Sequence, residues 1–139
     1  MTQSGDGRAR RSAALSVVIV DPDWEGARLL AGHLAGAQIV IVGSSAEAGR
    51  ALQLRMPDLI VTELDLPDDD GVRLVREIHR DMRTHHVLLM VVTRRGSIQD
   101  KIAALQAGAD DYLVKPVDPR QFVAHVRAVS RFRQVLKRQ

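Results

Sequence analysis

The chain has 139 residues, which suits one domain, and its 45% hydrophobic content suffices for a core that Leu, Val, Ile and Ala must fill, since aromatics make up only 3%. It has no cysteine, which excludes disulfides, thiolate chemistry and cysteine-based zinc sites, and no apolar stretch long enough to span a bilayer. The net charge of +3 is unevenly spread: residues 14–130 carry 13 basic against 16 acidic residues, so the body is acidic, unlike a nucleic-acid-binding body.

Residues 1–13 are small and polar, with Arg8, Arg10 and Arg11, and are expected to form a disordered lead-in. The apolar run that follows is too short and interrupted for a signal-peptide core, so a cytoplasmic setting is expected. Five short runs then punctuate the chain, at residues 15–20, 39–42, 59–61, 87–92 and 112–114. They are β-branched and mostly unalternated, as strands buried on both faces are. Helical stripes lie between them: Ala27, Leu30, Ala31 and Leu34; Ala48, Ala51 and Leu52; Val72, Val75, Ile78 and Met82; Ile98, Ile102 and Leu105; and finally Phe122, Val126, Val129, Phe132 and Leu136. Gly36 is placed to end the first helix and Gly108 the fourth. Asp118 before Pro119 starts the fifth, cap first and proline at the first helical position. Fivefold alternation of strand and helix implies an α/β fold, a parallel sheet with helices on both faces.

Ligands of such sheets bind beyond the carboxyl ends of the strands. Asp21 follows the first run, Glu63 the third, Thr93 ends the fourth and Lys115 follows the fifth, while the second ends in Gly43. Two acids, a hydroxyl and an ammonium are thus expected at one edge. Singly each has a bland reading: Asp21 as a helix N-cap, Thr93 as a strand-end hydroxyl bonded to backbone, Lys115 as a loop lysine. Their shared placement is the more specific signal.

"VVIVDPD", "MPDLIVTELDLPDDDG", "VTRRG" and above all "LQAGADDYLVKPVDPRQFVAHVRAV" together resemble a bacterial response-regulator receiver domain, over residues 17–131. The resemblance implies a flavodoxin-like, doubly wound (βα)5 sandwich with strand order 2-1-3-4-5. The domain would span residues 14–131, and residues 132–139 would extend the last helix. It also implies a phosphoryl group passed from a histidine kinase to one aspartate with Mg²⁺. By position, Thr93 matches the switch hydroxyl, Tyr112 the switch aromatic, Lys115 the invariant lysine, Lys115–Pro116 a peptide bond often cis, and Asp21 the first metal-binding acid.

Three positions depart from the family pattern. Pro22 stands where the second metal-binding acid belongs, and Mg²⁺ needs oxygen ligands. Glu63 stands in the acceptor aspartate's place, and its extra carbon displaces the carboxylate by about 1.5 Å; in-line transfer tolerates misplacement poorly. Arg94 replaces a small residue and is expected to gate the pocket or pair with Glu63. Asp65 is the substitute acceptor and metal ligand to weigh, since in a strand it shares a face with Glu63. Any Mg²⁺ site built from Asp21, Glu63 and Asp65 would be weak or absent, and no cofactor is required. Asp68, Asp69 and Asp70 are assigned to solvation and to favourable charge at the start of the third helix.

The reading is a receiver domain, not an enzyme, that works by protein contact without phosphorylation. Glu63 would reach Lys115 and Thr93 in partial imitation of a phosphoryl group, or form an inert ion pair with Lys115. Tyr112 exposed and Thr93 turned from Glu63 would count against imitation. The alternatives are a true Mg²⁺-dependent acceptor at Asp65 or Glu63, and the amino-terminal part of a DNA-binding regulator. The expected partner, a second copy or another protein, would dock on the fourth helix, fifth strand and fifth helix. Lys101, Asp110, Asp111 and Arg120 retain the charges of the winged-helix dimer, whereas Gln121, His125 and Phe132 do not. No membrane contact, and no specific nucleic-acid contact from this domain, is expected.

Overall fold

The computed structural model describes residues 14–138, with side chains through Arg131. The expected lead-in, residues 1–13, lies outside the described residues, as do the side chains of Phe132 and Leu136. Five strands alternate with five helices: β1 (Ser16–Val20), α1 (Trp24–Ala31), β2 (Gln38–Val42), α2 (Ser45–Leu54), β3 (Leu59–Thr62), α3 (Gly71–Arg80), β4 (Leu88–Thr93), α4 (Ile98–Ala107), β5 (Asp111–Val114) and α5 (Pro119–Arg138). The sheet is parallel throughout, in the order β2-β1-β3-β4-β5.

The strands' apolar runs fill two cores, one on each face. Because side chains alternate along a strand, Val18, Val20, Ile60, Leu89 and Val91 face α2, α3 and α4 through Leu52, Val75 and Ala104. Val17, Ile19, Leu59, Val61 and Met90 face α1 and α5 through Ala27, Phe122 and Val126. The central strands β1, β3 and β4 are buried nearly throughout, whereas β2, at an edge, alternates between partial burial and exposure.

Local chemistry sets the helix starts. Asp23, Ser44, Asp70 and Ser97 accept hydrogen bonds from the amides of Gly26, Glu47, Val72 and Asp100, capping α1 to α4. The Arg120 amide donates to Asp118 Oδ1 at 2.8 Å where α5 begins. Gly108 ends α4 at φ +127°, a conformation that favours glycine.

Three expectations are corrected. Helix α1 stops at Ala31, capped by Gly32. Gly36, at φ +80°, is incompatible with a continuing helix and instead turns the chain into β2. Met82 lies beyond α3, because Asp81 turns extended, and is 85% exposed. The Ile98, Ile102 and Leu105 stripe of α4 faces solvent, at 72%, 48% and 40% exposure, while Ala104 and Ala107 are buried. Small side chains let α4 approach the sheet closely, and the large ones are left outside.

Candidate functional site

The register brings the polar strand ends together. Val20 pairs with Val42 and Thr62, and Thr93 with Val114. Parallel bonding runs one residue further: the amides of Asp21, Glu63 and Lys115 donate to Val42, Val20 and Thr93. Asp21, Glu63, Thr93 and Lys115 are thereby held at one sheet edge, the first three of them buried.

Their side chains form one hydrogen-bonded group. Lys115 Nζ donates to Asp21 Oδ2 at 2.7 Å and to Glu63 Oε1 at 3.1 Å. The other oxygen, Glu63 Oε2, accepts from the Thr93 hydroxyl. It also accepts from the amides of Leu64 (2.6 Å) and Asp65 (3.2 Å). Burial alone raises a carboxyl's pKa, but the Thr93 hydroxyl, the Asp65 amide and the Lys115 ammonium outweigh it and hold Glu63 below the ordinary carboxylate range. Burial lowers Lys115, yet Asp21 and Glu63 together raise it above the ordinary lysine value. Both groups are charged at neutral pH, and each satisfies the other.

Tyr112 lies inward, 7% exposed, and its hydroxyl donates to the Arg95 carbonyl at 2.7 Å. Burial pushes its phenol up. The Arg95 amide in turn donates to Thr93 Oγ1 at 3.2 Å. The Lys115–Pro116 bond is cis.

Of the two expectations for the arginine next to Thr93, the pairing with Glu63 is not met. Arg94 is exposed and lines the mouth of a cleft of about 290 Å³ over Asp21, Glu63, Asp65 and Lys115. No ion pair joins it to Glu63 among the described residues. The following residue makes the contacts: Arg95 Nε meets Asp65 Oδ1 at 2.7 Å, and its Nη1 lies 3.5 Å from Asp70 and 3.8 Å from Asp100. Strand β4 ends at Thr93, so no strand alternation in the sequence marked Arg95 for this role.

Other acids are also reassigned. Strand β3 ends at Thr62, so Asp65 does not share a strand face with Glu63; it forms an isolated antiparallel bridge with Asp70, and its side chain turns to Arg95. Asp23, not Asp21, caps α1, and Asp21 Oδ1 accepts from the Asp23 amide instead. Asp70 caps α3, whereas Asp68 accepts from the Ser45 and Ala46 amides at 2.9 and 3.0 Å, steadying the start of α2. Nothing in the local sequence announces that contact across 22 and 23 residues.

The acids do not fit a divalent cation. Lys115 already lies between Asp21 and Glu63, Pro22 offers no oxygen from its side chain, and Arg95 neutralises Asp65. Among the described residues no three His, Cys, Asp or Glu side chains are grouped to hold a metal. With both Glu63 oxygens engaged, the arrangement can store a fixed negative charge against a hydroxyl and an ammonium.

A parallel sheet with this order, two acids, a hydroxyl and a lysine at its carboxyl edge and an inward tyrosine describe a recurrent design, and the family model of the response regulator receiver domain matches residues 17–127. The chain belongs to this family. Over 118 residues, this receiver domain is 34% identical to the phosphate regulon transcriptional regulatory protein PhoB of Pseudomonas aeruginosa, covering 84% of the chain and 52% of that protein. It is 44% identical over 84 residues to the DNA-binding dual master transcriptional regulator RpaA of Synechocystis, covering 60% of the chain and 35% of that protein. The chain thus spans about half the length of these relatives, or less. A two-component response regulator from Clostridium difficile superposes with a TM-score of 0.79 at 29% identity, over 84% of this chain and 96% of that one. A CheY-like receiver domain from Methanospirillum hungatei shares the fold, with a TM-score of 0.82 at 23% identity, over 88% and 98% of the two chains. No helix among the described residues is long and apolar enough to cross a membrane.

Proposed function

We propose that this receiver domain regulates a protein partner without phosphoryl transfer to position 63, because Glu63 already occupies the contacts a phosphoryl group would take. The observation that carries the reading is the pair of bonds from Thr93 and Lys115 to the two oxygens of one buried carboxylate, with Tyr112 turned inward above them. The imitation is partial: a carboxylate carries one negative charge and a phosphoryl group about two. The poor fit of the acids to Mg²⁺ supports the same reading. Asp65 is a weak substitute acceptor, since it is bound to Arg95 and is not bonded to Thr93 or Lys115.

The exposed Ile98, Ile102 and Leu105 of α4, with Val114 of β5 at 44% exposure, support docking of a partner or a second copy on the α4–β5–α5 face. Three of the four charges of that face are used within the chain. Asp110 accepts from the Leu89 amide at 2.8 Å, Asp111 lies 2.6 Å from His125 Nδ1, and Arg120 pairs with Asp118 at 3.4 Å. Apolar contact is therefore favoured over the charged winged-helix dimer. A second reading, the regulatory part of a DNA-binding regulator, draws on the names and lengths of RpaA and PhoB and is compatible with the first. A cytoplasmic setting and an input from a histidine kinase accord with the family.

The test is an intact mass after incubation with acetyl phosphate and Mg²⁺, beside an ordinary receiver domain. No phosphoryl adduct is expected. A labile adduct would overturn the proposal, and reductive trapping would place it on Asp65 or Glu63.

A further inference from the structure

We infer that Arg95 is the positioning residue that ties the Glu63 carboxylate to the apolar face of α4, a claim that rests on Glu63 being the resident charge of the site. One residue meets the site in three ways. Its amide donates to Thr93 Oγ1, whose hydroxyl is bonded to Glu63. Its carbonyl accepts the Tyr112 hydroxyl. Its guanidinium joins Asp65 and Asp70, in the segment between β3 and α3, and approaches Asp100 in the first turn of α4.

The consequence is mechanical. Residues 94–97, between β4 and α4, have no regular secondary structure and would otherwise be free to reset the start of α4. Arg95 fastens them at both ends, to the acids of the preceding loop and to Asp100. Asp100 is itself fixed, since its amide donates to Ser97 Oγ and its carboxylate accepts from the same hydroxyl. The stripe of Ile98, Ile102 and Leu105 begins in the turn that Arg95 holds, so the angle at which α4 presents it depends on this contact. An isolated exposed ion pair contributes little, but a partly buried guanidinium shared by three carboxylates, with its backbone also bonded on both sides, orders a loop. Tyr112 stays inward because the carbonyl it binds does not move.

Hydrogen exchange read by mass spectrometry tests this. Arg95→Gln is expected to speed exchange across residues 94–101 by roughly tenfold, with a cooperative melt retained. Arg95→Lys, which keeps the charge without the fork, should fall between the two. Asp65→Asn with Asp70→Asn should loosen the same segment and serves if Arg95→Gln does not fold. Glu63→Gln should also loosen it, through Thr93. Unchanged exchange in Arg95→Gln, or in the double variant, would overturn the role of Arg95, and an unaffected segment in Glu63→Gln would overturn the link to the site. A phosphoryl adduct on the wild-type chain would instead overturn the resident-charge reading, so the two failures are distinct.

Discussion

The hydroxyl of Thr93 donates to the Oε2 of Glu63, thirty residues earlier in the chain, and both residues are buried. Replacing Thr93 by Val keeps the shape and removes the donor, leaving a buried carboxylate oxygen short of a partner. A loss of about 1–3 kcal/mol in unfolding free energy is expected, read from urea denaturation. A variant as stable as wild type would mean that the contact contributes nothing to the fold.

Glu63 and Lys115 bracket the stability of the domain in pH. The folded-state pKa of Glu63 is below its ordinary 4.5, so its contribution is fully present above 4.5 and is lost as pH falls through the lower folded value. That of Lys115 is above its ordinary 10.5, so its contribution is fully present below 10.5 and is lost as pH rises through the higher folded value. Urea midpoints measured across pH should fall on both flanks, and Glu63→Gln should flatten the acid one. Identical acid flanks for the two proteins would remove Glu63 from the account.

Lys115→Met takes away the only cation bonded to Asp21 and Glu63 among the described residues. Two buried carboxylates then face each other with only neutral hydrogen-bond donors left to them. The expected cost is about 3 kcal/mol at neutral pH, shrinking in acid as the carboxylates take up protons. Stability profiles of the variant at neutral and acid pH provide the check; a cost that does not shrink in acid would contradict this assignment.

Gly71 begins α3 directly beneath the site. A Cβ there would lie 2.5 Å from both the Glu63 carbonyl oxygen and the Leu64 Cα, which are backbone atoms with little room to give. Gly71→Ala should therefore destabilise by about 1–3 kcal/mol and, because the overlap falls on residue 63 itself, alter the Glu63 environment. Denaturation and a comparison of acid-flank profiles would show it; an unaltered variant would mean that the loop yields freely.

The two sides of α4 should respond in opposite ways to substitution. Ile98→Gln changes a residue that is 72% exposed and is expected to shift stability by less than about 0.5 kcal/mol. Ala104→Val enlarges a fully buried side chain and should cost about 1–3 kcal/mol. Thermal melts distinguish them, and a severe loss from Ile98→Gln would place the stripe in the core after all.

The alternation of β-branched runs with amphipathic stripes was enough to read five parallel strands wrapped by helices, because burial on both faces leaves a local composition that needs no knowledge of partners. The landmark residues Asp21, Glu63, Thr93 and Lys115 were legible for a similar reason, since each sits at or next to the carboxyl end of a strand whose position the pattern marks, whereas Tyr112 was marked only by the family resemblance. Which arginine serves the site, where Asp65 and Asp68 turn, and which side of α4 meets the sheet were settled only by tertiary structure. Asp68 reaches a helix start more than twenty residues away, and Arg95 meets Asp65 across thirty. Such contacts depend on loop paths that hydrophobic periodicity does not encode. In α4 the periodic apolar stripe was real, but close packing of Ala104 and Ala107 against the sheet decided that it should face outward. The architecture and the identity of the charge at position 63 follow from local composition and order alone. Only the packed chain decided that this charge would be met by a hydroxyl and an ammonium, because the three come from different strands and meet only when the sheet is in register.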